Sequence, residues 1–173
     1  KYGLLLIPPR TFRTGAIAGT WAKCEHIFEG KVESGGQEHL YIETQGAYSY
    51  PGDNGTIKIH SSTQGPTAVQ RTAAKVLGIP MNRIEVDVAR IGGGFGGKED
   101  QATGFASMAA LASFILNKPV KISLHRLDDM RMTGKRHPYS SDFRIGLSKD
   151  YKILAFQTTL YQNGGAAADL SPA

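Results

Sequence analysis

A glycine-rich stretch from Ile91 to Asp100 constrains this chain more than any other part of the sequence. Five of the six residues from Gly92 to Gly97 are glycine, and the sixth, Phe95, is a large aromatic residue. Because glycine has no Cβ atom, such a run reaches backbone conformations that other residues avoid and lets a ligand approach the backbone closely. A predicted helix follows, and the free N–H groups at a helix start favour an anion. We therefore predict that this stretch forms one wall of a binding site.

Hydrophobic periodicity predicts an α+β fold with mixed sheets, hairpins and two crossover helices. Apolar residues at helical spacing indicate helices over residues 65–77 and 100–116. Alternating apolar and polar residues indicate strands over 27–33, 40–50, 56–61, 84–88, 120–124, 139–148 and 153–161. The strands at 40–50 and 56–61, and those at 139–148 and 153–161, are joined by short turns and are predicted hairpins. The polar stretch 128–138 is predicted to be irregular.

The domain organisation is predicted from where regular patterning begins. Residues 1–25 contain prolines and scattered glycines without a clear period, so they are predicted to be an extended segment that leads into the domain. Residues 26–173 are predicted to be part of one domain. The first residue is Lys1 and the last segment stops without a terminating pattern. We expect the sequence to be a piece of a longer protein.

Composition narrows the classes of partner. The net charge is +5 without a long run of lysine or arginine, so no nucleic-acid partner is predicted. No apolar run reaches the roughly 18 residues that a membrane-spanning helix requires, so no membrane partner is predicted. Cys24 is the only cysteine, which excludes an internal disulfide and a thiolate metal site. A reducing compartment fits this usage, and we expect a cytoplasmic protein.

Three other interpretations of the glycine stretch stay open at this point. The spacing Gly92-x-Gly94-x-x-Gly97 matches a dinucleotide-binding pattern, but no acid stands about 20 residues further on to bind the ribose. A P-loop requires Ser or Thr where Glu99 stands. A closely packed turn with no ligand is the third interpretation. Phe95 argues against that turn, because an aromatic residue among glycines is suited to face something flat.

Three segments of the chain resemble the molybdenum hydroxylases, in the xanthine dehydrogenase branch. Gly92–Glu99 resembles a family signature, Gly35–Gln45 resembles the first cofactor segment, and Met132–Pro138 resembles a later motif. The resemblance implies a molybdenum-cofactor-binding domain of the xanthine dehydrogenase and aldehyde oxidase type. It also implies oxidative hydroxylation of hypoxanthine or xanthine with water as the oxygen source. Aldehydes or other N-heterocycles are the alternative substrates, and a non-catalytic dinucleotide-binding module is the alternative from another class.

The resemblance implies roles for five residues. Gln37 and Phe95 match residues that lie beside the molybdenum centre, so both are expected cofactor and metal neighbours. Gly94 and Gly96 match glycines that allow this approach, and Gly96 is expected to donate its N–H to a molybdenum oxygen. Glu99 matches a glutamate that hydrogen-bonds a purine substrate. By contrast His39, Gln64 and His137 are interpreted as structural residues.

The resemblance also implies cofactors and partners beyond this sequence. A molybdenum–pterin cofactor is expected at the glycine stretch, and the full enzyme is expected to hold 2Fe-2S clusters and FAD. The family's catalytic glutamate and the cluster cysteines have no counterpart in these 173 residues, so no catalytic residue is predicted here. The expected partners are the remainder of the molybdenum subunit, the iron–sulfur and FAD subunits or domains, and a purine substrate. We expect the chain alone to be inactive.

Overall fold

A computed structural model describes residues 5–171, which divide into two compact units. One unit holds the chain up to Gln37 and from His137 onward, and the other holds Glu38–Arg136. The predicted division between residues 25 and 26 stays a prediction, and positions 1–4 and 172–173 lie outside the described residues. No helix of the described part is long and apolar enough to cross a membrane.

The helices and strands follow in chain order. They are α1 (Ile17–Thr20), β1 (His26–Ser34), β2 (Gly46–Pro51), β3 (Ile57–Ser61), α2 (Pro66–Leu77), β4 (Ile84–Asp87), α3 (Gln101–Leu116), β5 (Val120–Ser123), α4 (Arg126–Met132), β6 (Tyr139–Leu147) and β7 (Ile153–Gln162). Short 3₁₀ turns occur at Trp21–Lys23, Asp53–Gly55 and Met81–Arg83. Helix α2 begins with a proline and ends at Gly78 in the left-handed conformation, as the proline and glycine positions predict.

The Glu38–Arg136 unit is a mixed sheet covered by two helices. The strand order is β4-β3-β2-β5, with β3 and β4 parallel and the other neighbouring pairs antiparallel. Helices α2 and α3 connect β3 to β4 and β4 to β5, which confirms the two predicted crossover helices. The core residues on the strands are Ala47, Ile57, Ile59 and Ile84, and those on the helices are Val69, Ala73, Ala74, Ala106, Ala109 and Ala110. The small alanines of α3 allow this helix to lie close to the sheet.

The other unit contains an antiparallel sheet in the order β1-β6-β7. Strand β1 pairs with β6 from His26 opposite Leu147 to Ser34 opposite Tyr139. Strands β6 and β7 pair directly, which confirms the predicted hairpin at 139–148 and 153–161. The α+β class with mixed strand pairing is therefore confirmed.

Two local predictions are wrong. The strand predicted over 40–50 begins only at Gly46, and Leu40 has a φ of 51°, which a strand does not accept. The backbone carbonyls of Tyr41 and Ile42 accept hydrogen bonds from Arg126 instead of from a neighbouring strand. The stretch predicted to be irregular over 128–138 contains most of α4. The buried residue of this helix is the charged Asp129, so apolar periodicity does not mark the face that packs inward.

Candidate functional site

The glycine segment, defined as Gly92–Gly97, forms a tight turn between β4 and α3. The Gly97 N–H donates to the Gly94 carbonyl at 2.8 Å, which closes the turn. Phe95 has a φ of 53°, a left-handed conformation for a residue with a Cβ atom, and it is 70% exposed. Such a conformation costs on the order of 1–3 kcal/mol and persists only where the surroundings enforce it. The segment therefore holds a strained aromatic residue toward the outside.

The glycines of this segment serve different purposes. A Cβ atom on Gly94 would lie 2.4 Å from Gln64 Oε1, so this position is filled by the protein itself. A Cβ atom on Gly97 would lie 2.8 Å from the His39 ring. At Gly96, where φ is 89°, a Cβ atom would meet nothing within 4 Å. Open space for a ligand therefore lies on the Gly96 side of the turn and not at Gly94.

Gln64 is bonded to the glycine segment through both its backbone and its side chain. Its Oε1 accepts hydrogen bonds from the Gly96 N–H at 3.0 Å and the Lys98 N–H at 3.3 Å. Its own N–H donates to the Lys98 carbonyl at 2.8 Å. The Gly96 N–H that the resemblance implied for a molybdenum oxygen is thus donated to Gln64 in this structure.

Lys98 fixes the end of the turn from inside the protein. Its side chain is fully buried, and Nζ donates to the Glu43 carbonyl at 2.7 Å and to Ser62 Oγ at 2.6 Å. Nζ also lies 4.4 Å from the centre of the Tyr41 ring, which attracts the cation. Burial lowers the pKa of Lys98 because it disfavours the charged form, and the carboxylate of Glu43 opposes that effect.

Glu43 connects the loop before β2 to the start of the glycine segment. Its Oε2 accepts hydrogen bonds from the Gly92 N–H and from the Ser62 hydroxyl, both at 2.7 Å, and lies 3.5 Å from Lys98 Nζ. Partial burial raises the pKa of Glu43, but the hydrogen bonds and the lysine charge outweigh burial. The pKa therefore lies below the ordinary value of 4.5.

Asp129 on α4 provides the second anchor. It is fully buried, and it accepts hydrogen bonds from the Tyr41 hydroxyl at 2.8 Å and the Gln45 N–H at 2.5 Å. The Gln45 side chain in turn donates to the Gly97 carbonyl at 2.8 Å. Burial raises the pKa of Tyr41 to about 12, and its hydrogen bond to the carboxylate adds to the shift. The glycine segment is therefore held by buried polar side chains from three distant parts of the sequence.

Sequence reasoning missed this supporting set. Tyr41, Glu43 and Gln45 lie in the segment predicted to be a strand, and Asp129 lies in the stretch predicted to be irregular. The one available signal was the lysine directly after the glycine segment, because a buried lysine requires a nearby acid. Spacing alone does not identify that acid.

The structure brings four of the five predicted site residues into one segment. Gly94, Phe95, Gly96 and Glu99 follow one another between β4 and α3, while Gln37 belongs to the other unit and is exposed. Glu99 is half-buried, and its carboxylate has no hydrogen-bond or ion-pair partner among residues 5–171. Within the same range no group of three or more His, Cys, Asp or Glu side chains could hold a metal ion.

A separate cleft lies on the open face of the mixed sheet. Its volume is about 290 Å³, and its lining includes Tyr48, His60, Asp87 and Lys121 from the strands and their ends. Neither Phe95 nor Glu99 lines this cleft. The predicted wall is therefore separate from this cleft, and its aromatic residue Phe95 is exposed.

Nearly the whole chain matches a known family of domains. The chain belongs to the molybdopterin cofactor-binding domain family, and the model of that family matches residues 6–173. This confirms the predicted family and favours the molybdenum interpretation of the glycine segment over the dinucleotide one.

Individual relatives agree with this assignment. The chain is 46% identical over 149 residues to xanthine dehydrogenase from Oryza sativa subsp. japonica, and 42% identical over 150 residues to xanthine dehydrogenase 1 from Arabidopsis thaliana. Each alignment covers 86% of this chain and 11% of the relative, so the chain spans about a ninth of their length. Aldehyde oxidoreductase from Desulfovibrio gigas shares the fold, with a TM-score of 0.72 and 24% identity over 86% of this chain and 16% of that one.

Proposed function

We propose that this chain forms part of the molybdenum–pterin-binding region of a xanthine dehydrogenase-type enzyme, with the glycine segment as one wall of the site. The observation that supports this most is Phe95, which is strained, exposed and held by a buried polar network. An exposed aromatic ring on a strained backbone does not stabilise the folded protein. The open space at Gly96 fits a group that approaches the backbone closely.

In the proposed site, the residues of this chain bind and orient the molybdenum–pterin group. When bound, the molybdenum–pterin group supplies the oxidative hydroxylation chemistry. Phe95 and Gly96 shape the wall that faces the group, and Lys98 with Glu43 keeps that wall rigid. Gln37 is exposed and offers a neutral amide that donates hydrogen bonds without adding charge.

Glu99 is the proposed contact to a purine. Its carboxylate is half-buried and has no partner in the described part of the chain, so its hydrogen-bonding capacity is available for a ligand. An ionised carboxylate accepts N–H groups, which purines carry on their rings. We propose that Glu99 orients hypoxanthine or xanthine. The structural alternative is that Glu99, which lies just before the N-cap residue Asp100 of α3, only interacts favourably with the dipole of that helix.

The proposal extends to the complete enzyme. The partners are the remainder of the molybdenum subunit and the iron–sulfur and FAD subunits or domains, with 2Fe-2S clusters and FAD as further cofactors. The location is the cytoplasm. This chain alone supplies no catalytic base, so we expect no purine hydroxylation from it.

The test uses the full-length protein that contains this chain, with molybdenum content and oxidation of hypoxanthine and xanthine measured together. Glu99→Ala is compared with Asp100→Ala, which removes the same charge from the exposed neighbouring position. A lost hydrogen bond to a charged group is worth about 1.5–3 kcal/mol, so kcat/KM is expected to fall roughly tenfold to a hundredfold in the first variant only.

Each outcome has a distinct meaning. Equal loss in both variants would contradict a specific contact between Glu99 and the purine. Bound molybdenum without purine turnover in the wild type would move the substrate to an aldehyde or another N-heterocycle. No bound molybdenum, from a host that makes the cofactor, would refute the proposal and favour a non-catalytic module.

A further inference from the structure

Gln64 stands at the glycine segment in an unusual state, because its side chain is exposed and yet fixed. Its Oε1 accepts the N–H groups of Gly96 and Lys98, and its backbone N–H donates to the Lys98 carbonyl. Holding a glutamine side chain in one conformation costs about 1.5–2 kcal/mol of entropy. Exposed glutamines normally stay mobile, whereas this side chain is held by two hydrogen bonds to its Oε1.

The two backbone donors decide which way the amide points. Since both Gly96 and Lys98 donate N–H groups, the atom that faces them is the oxygen, and the NH₂ group faces away from the turn. Nε2 has no hydrogen-bond partner within the described range 5–171. The side chain contacts Gly94 and binds Gly96, so it reaches the residues on both sides of Phe95.

A hydrogen bond to Oε1 also strengthens the donor at the other end of the amide. Hydrogen bonds in a chain polarise one another, so the Gly96 N–H bond to Oε1 makes the Nε2–H groups better donors. The Gly96 N–H cannot serve the cofactor fully while it is donated to Gln64. The Nε2–H groups of Gln64 instead provide a donor, at the end of a side chain and not on the backbone of the turn.

We propose that Gln64 is a further cofactor-binding residue, in which Oε1 fixes the glycine segment and Nε2 donates a hydrogen bond to an oxygen acceptor of the molybdenum–pterin group. The inference rests on the proposed function of this segment. It replaces the sequence-based interpretation of Gln64 as only structural, and it makes Gln64, instead of Gly96, the N–H donor at this wall.

Two substitutions in the full-length protein separate the two ends of the amide. Gln64→Glu keeps an oxygen that accepts from Gly96 and Lys98 but removes the outward NH₂ group. Gln64→Ala removes both ends. Gln70→Glu is the matched control, because its amide donates to the Met81 and Ile84 carbonyls at 3.2 and 2.8 Å, away from the glycine segment.

The readouts are hydrogen exchange of the peptide over residues 92–100 and molybdenum retained per protein after prolonged dialysis. In Gln64→Glu we expect wild-type exchange protection with about fivefold to tenfold less retained molybdenum, the equivalent of one hydrogen bond. In Gln64→Ala we expect both the exchange protection and the retained molybdenum to fall. In Gln70→Glu we expect neither quantity to change. Gln64→Glu removes a donor and adds a carboxylate that a cofactor oxygen repels. Either change lowers molybdenum retention only if the side chain at position 64 faces the cofactor.

Other results overturn the proposal. Wild-type molybdenum retention in Gln64→Glu refutes the donor role and leaves the proposed function intact. Loss of both protection and molybdenum in Gln64→Glu assigns the effect to the turn and also refutes the donor role. A wild-type protein without molybdenum refutes the proposed function itself, and this inference with it.

Discussion

At the scale of single residues, Phe95 shows a conflict between stability and the proposed role. Its left-handed backbone costs about 1–2 kcal/mol, and its ring is 70% exposed, so little burial offsets that cost. Glycine accepts this conformation without strain but loses about 0.5–1 kcal/mol through its greater freedom in the unfolded chain. Phe95 therefore gives the folded protein no stability advantage over a glycine at the same position.

We therefore expect Phe95→Gly to have an unfolding free energy equal to the wild type or up to about 1 kcal/mol higher. Molybdenum retained by the full-length protein is expected to fall in the same variant. Urea unfolding of the chain and metal analysis of the full-length protein measure the two quantities. A clear loss of stability would show that the ring is held for structural reasons, which would remove the main support for the proposed wall.

The Tyr41 hydroxyl gives a second test at this scale, because it donates to fully buried Asp129. Removing it in Tyr41→Phe leaves the carboxylate short of one donor, and we expect a loss of about 1–3 kcal/mol in the free energy of unfolding. Tyr50→Phe is the matched control, since its hydroxyl has no hydrogen-bond partner among residues 5–171. Equal effects of the two changes would show that the buried hydrogen bond is unimportant.

Glu43 makes stability depend on pH. Its pKa is lowered in the folded state, so its contribution is present above the ordinary value of 4.5 and is lost as the pH falls through the lower, folded pKa. We expect the wild type to lose more stability than Glu43→Gln when the pH is lowered from 5 to about 3. Urea unfolding at a series of pH values measures this difference. Parallel curves for the two proteins would contradict the assignment.

At the scale of elements, the sequence predicted those elements whose formation depends on local patterns. Helix α2 and the β6–β7 hairpin have the apolar periodicity and the end or turn signals that define such elements. Helix α3, apolar on nearly all sides, is marked instead by its length and by Asn117 and Pro119 at its end. The segment 40–45 has the alternation of a strand, but its Tyr41 and Glu43 side chains bind Asp129 and Lys98, and its carbonyls accept from Arg126. Helix α4 was missed because its buried residue is Asp129, a charged side chain that periodicity analysis counts as exposed.

Glycines in two elements should respond in opposite directions to the same change. Gly104 lies within α3, where an added Cβ atom meets nothing within 4 Å, whereas at Gly97 it would lie 2.8 Å from the His39 ring. We expect Gly104→Ala to raise the free energy of unfolding by about 0.5–1 kcal/mol, because alanine favours helix. Gly97→Ala is expected to lower it by about 1–3 kcal/mol through overpacking. Urea unfolding of the two variants measures these changes in the free energy of unfolding. Destabilisation by Gly104→Ala would show that another part of the protein covers this face of α3.

At the scale of the whole molecule, the sequence identified the glycine segment but not what holds it. The segment is recognisable because its composition is extreme over a few neighbouring residues. Its supports come from the 41–45 loop, the end of β3 and α4, and Glu43 of that loop lies 55 residues from Lys98 in the sequence. Such contacts depend on how β2, β3 and α4 are placed in the fold, and no local pattern encodes them. The roles predicted for Gln37 and Glu99 rest on family resemblance and not on a physical signal in the sequence, and they stay predictions.

The last prediction concerns the surface of α3. Helix α3 is apolar on nearly all sides, and its exposed large residues include Met108, Leu111, Phe114 and Ile115, with Ile115 at 70% exposure. A contiguous apolar face of this kind is uncommon on a monomer and favours association. The alignment with the rice relative covers only 11% of that protein, which is consistent with a covering part elsewhere in a full-length protein. We therefore expect the 173-residue chain alone to self-associate through this face.

Ile115→Lys should weaken that self-association, because it places a charge at the most exposed large residue of the apolar face without lowering helix propensity. Phe12→Lys is the control, since Phe12 is 89% exposed and lies in the other unit. Sedimentation velocity over a range of concentrations measures the change. If both variants associate as the wild type does, or if the wild type is monomeric throughout, the outer face of α3 does not drive association. A selective effect of Ile115→Lys would instead identify that face as the surface that a larger assembly covers.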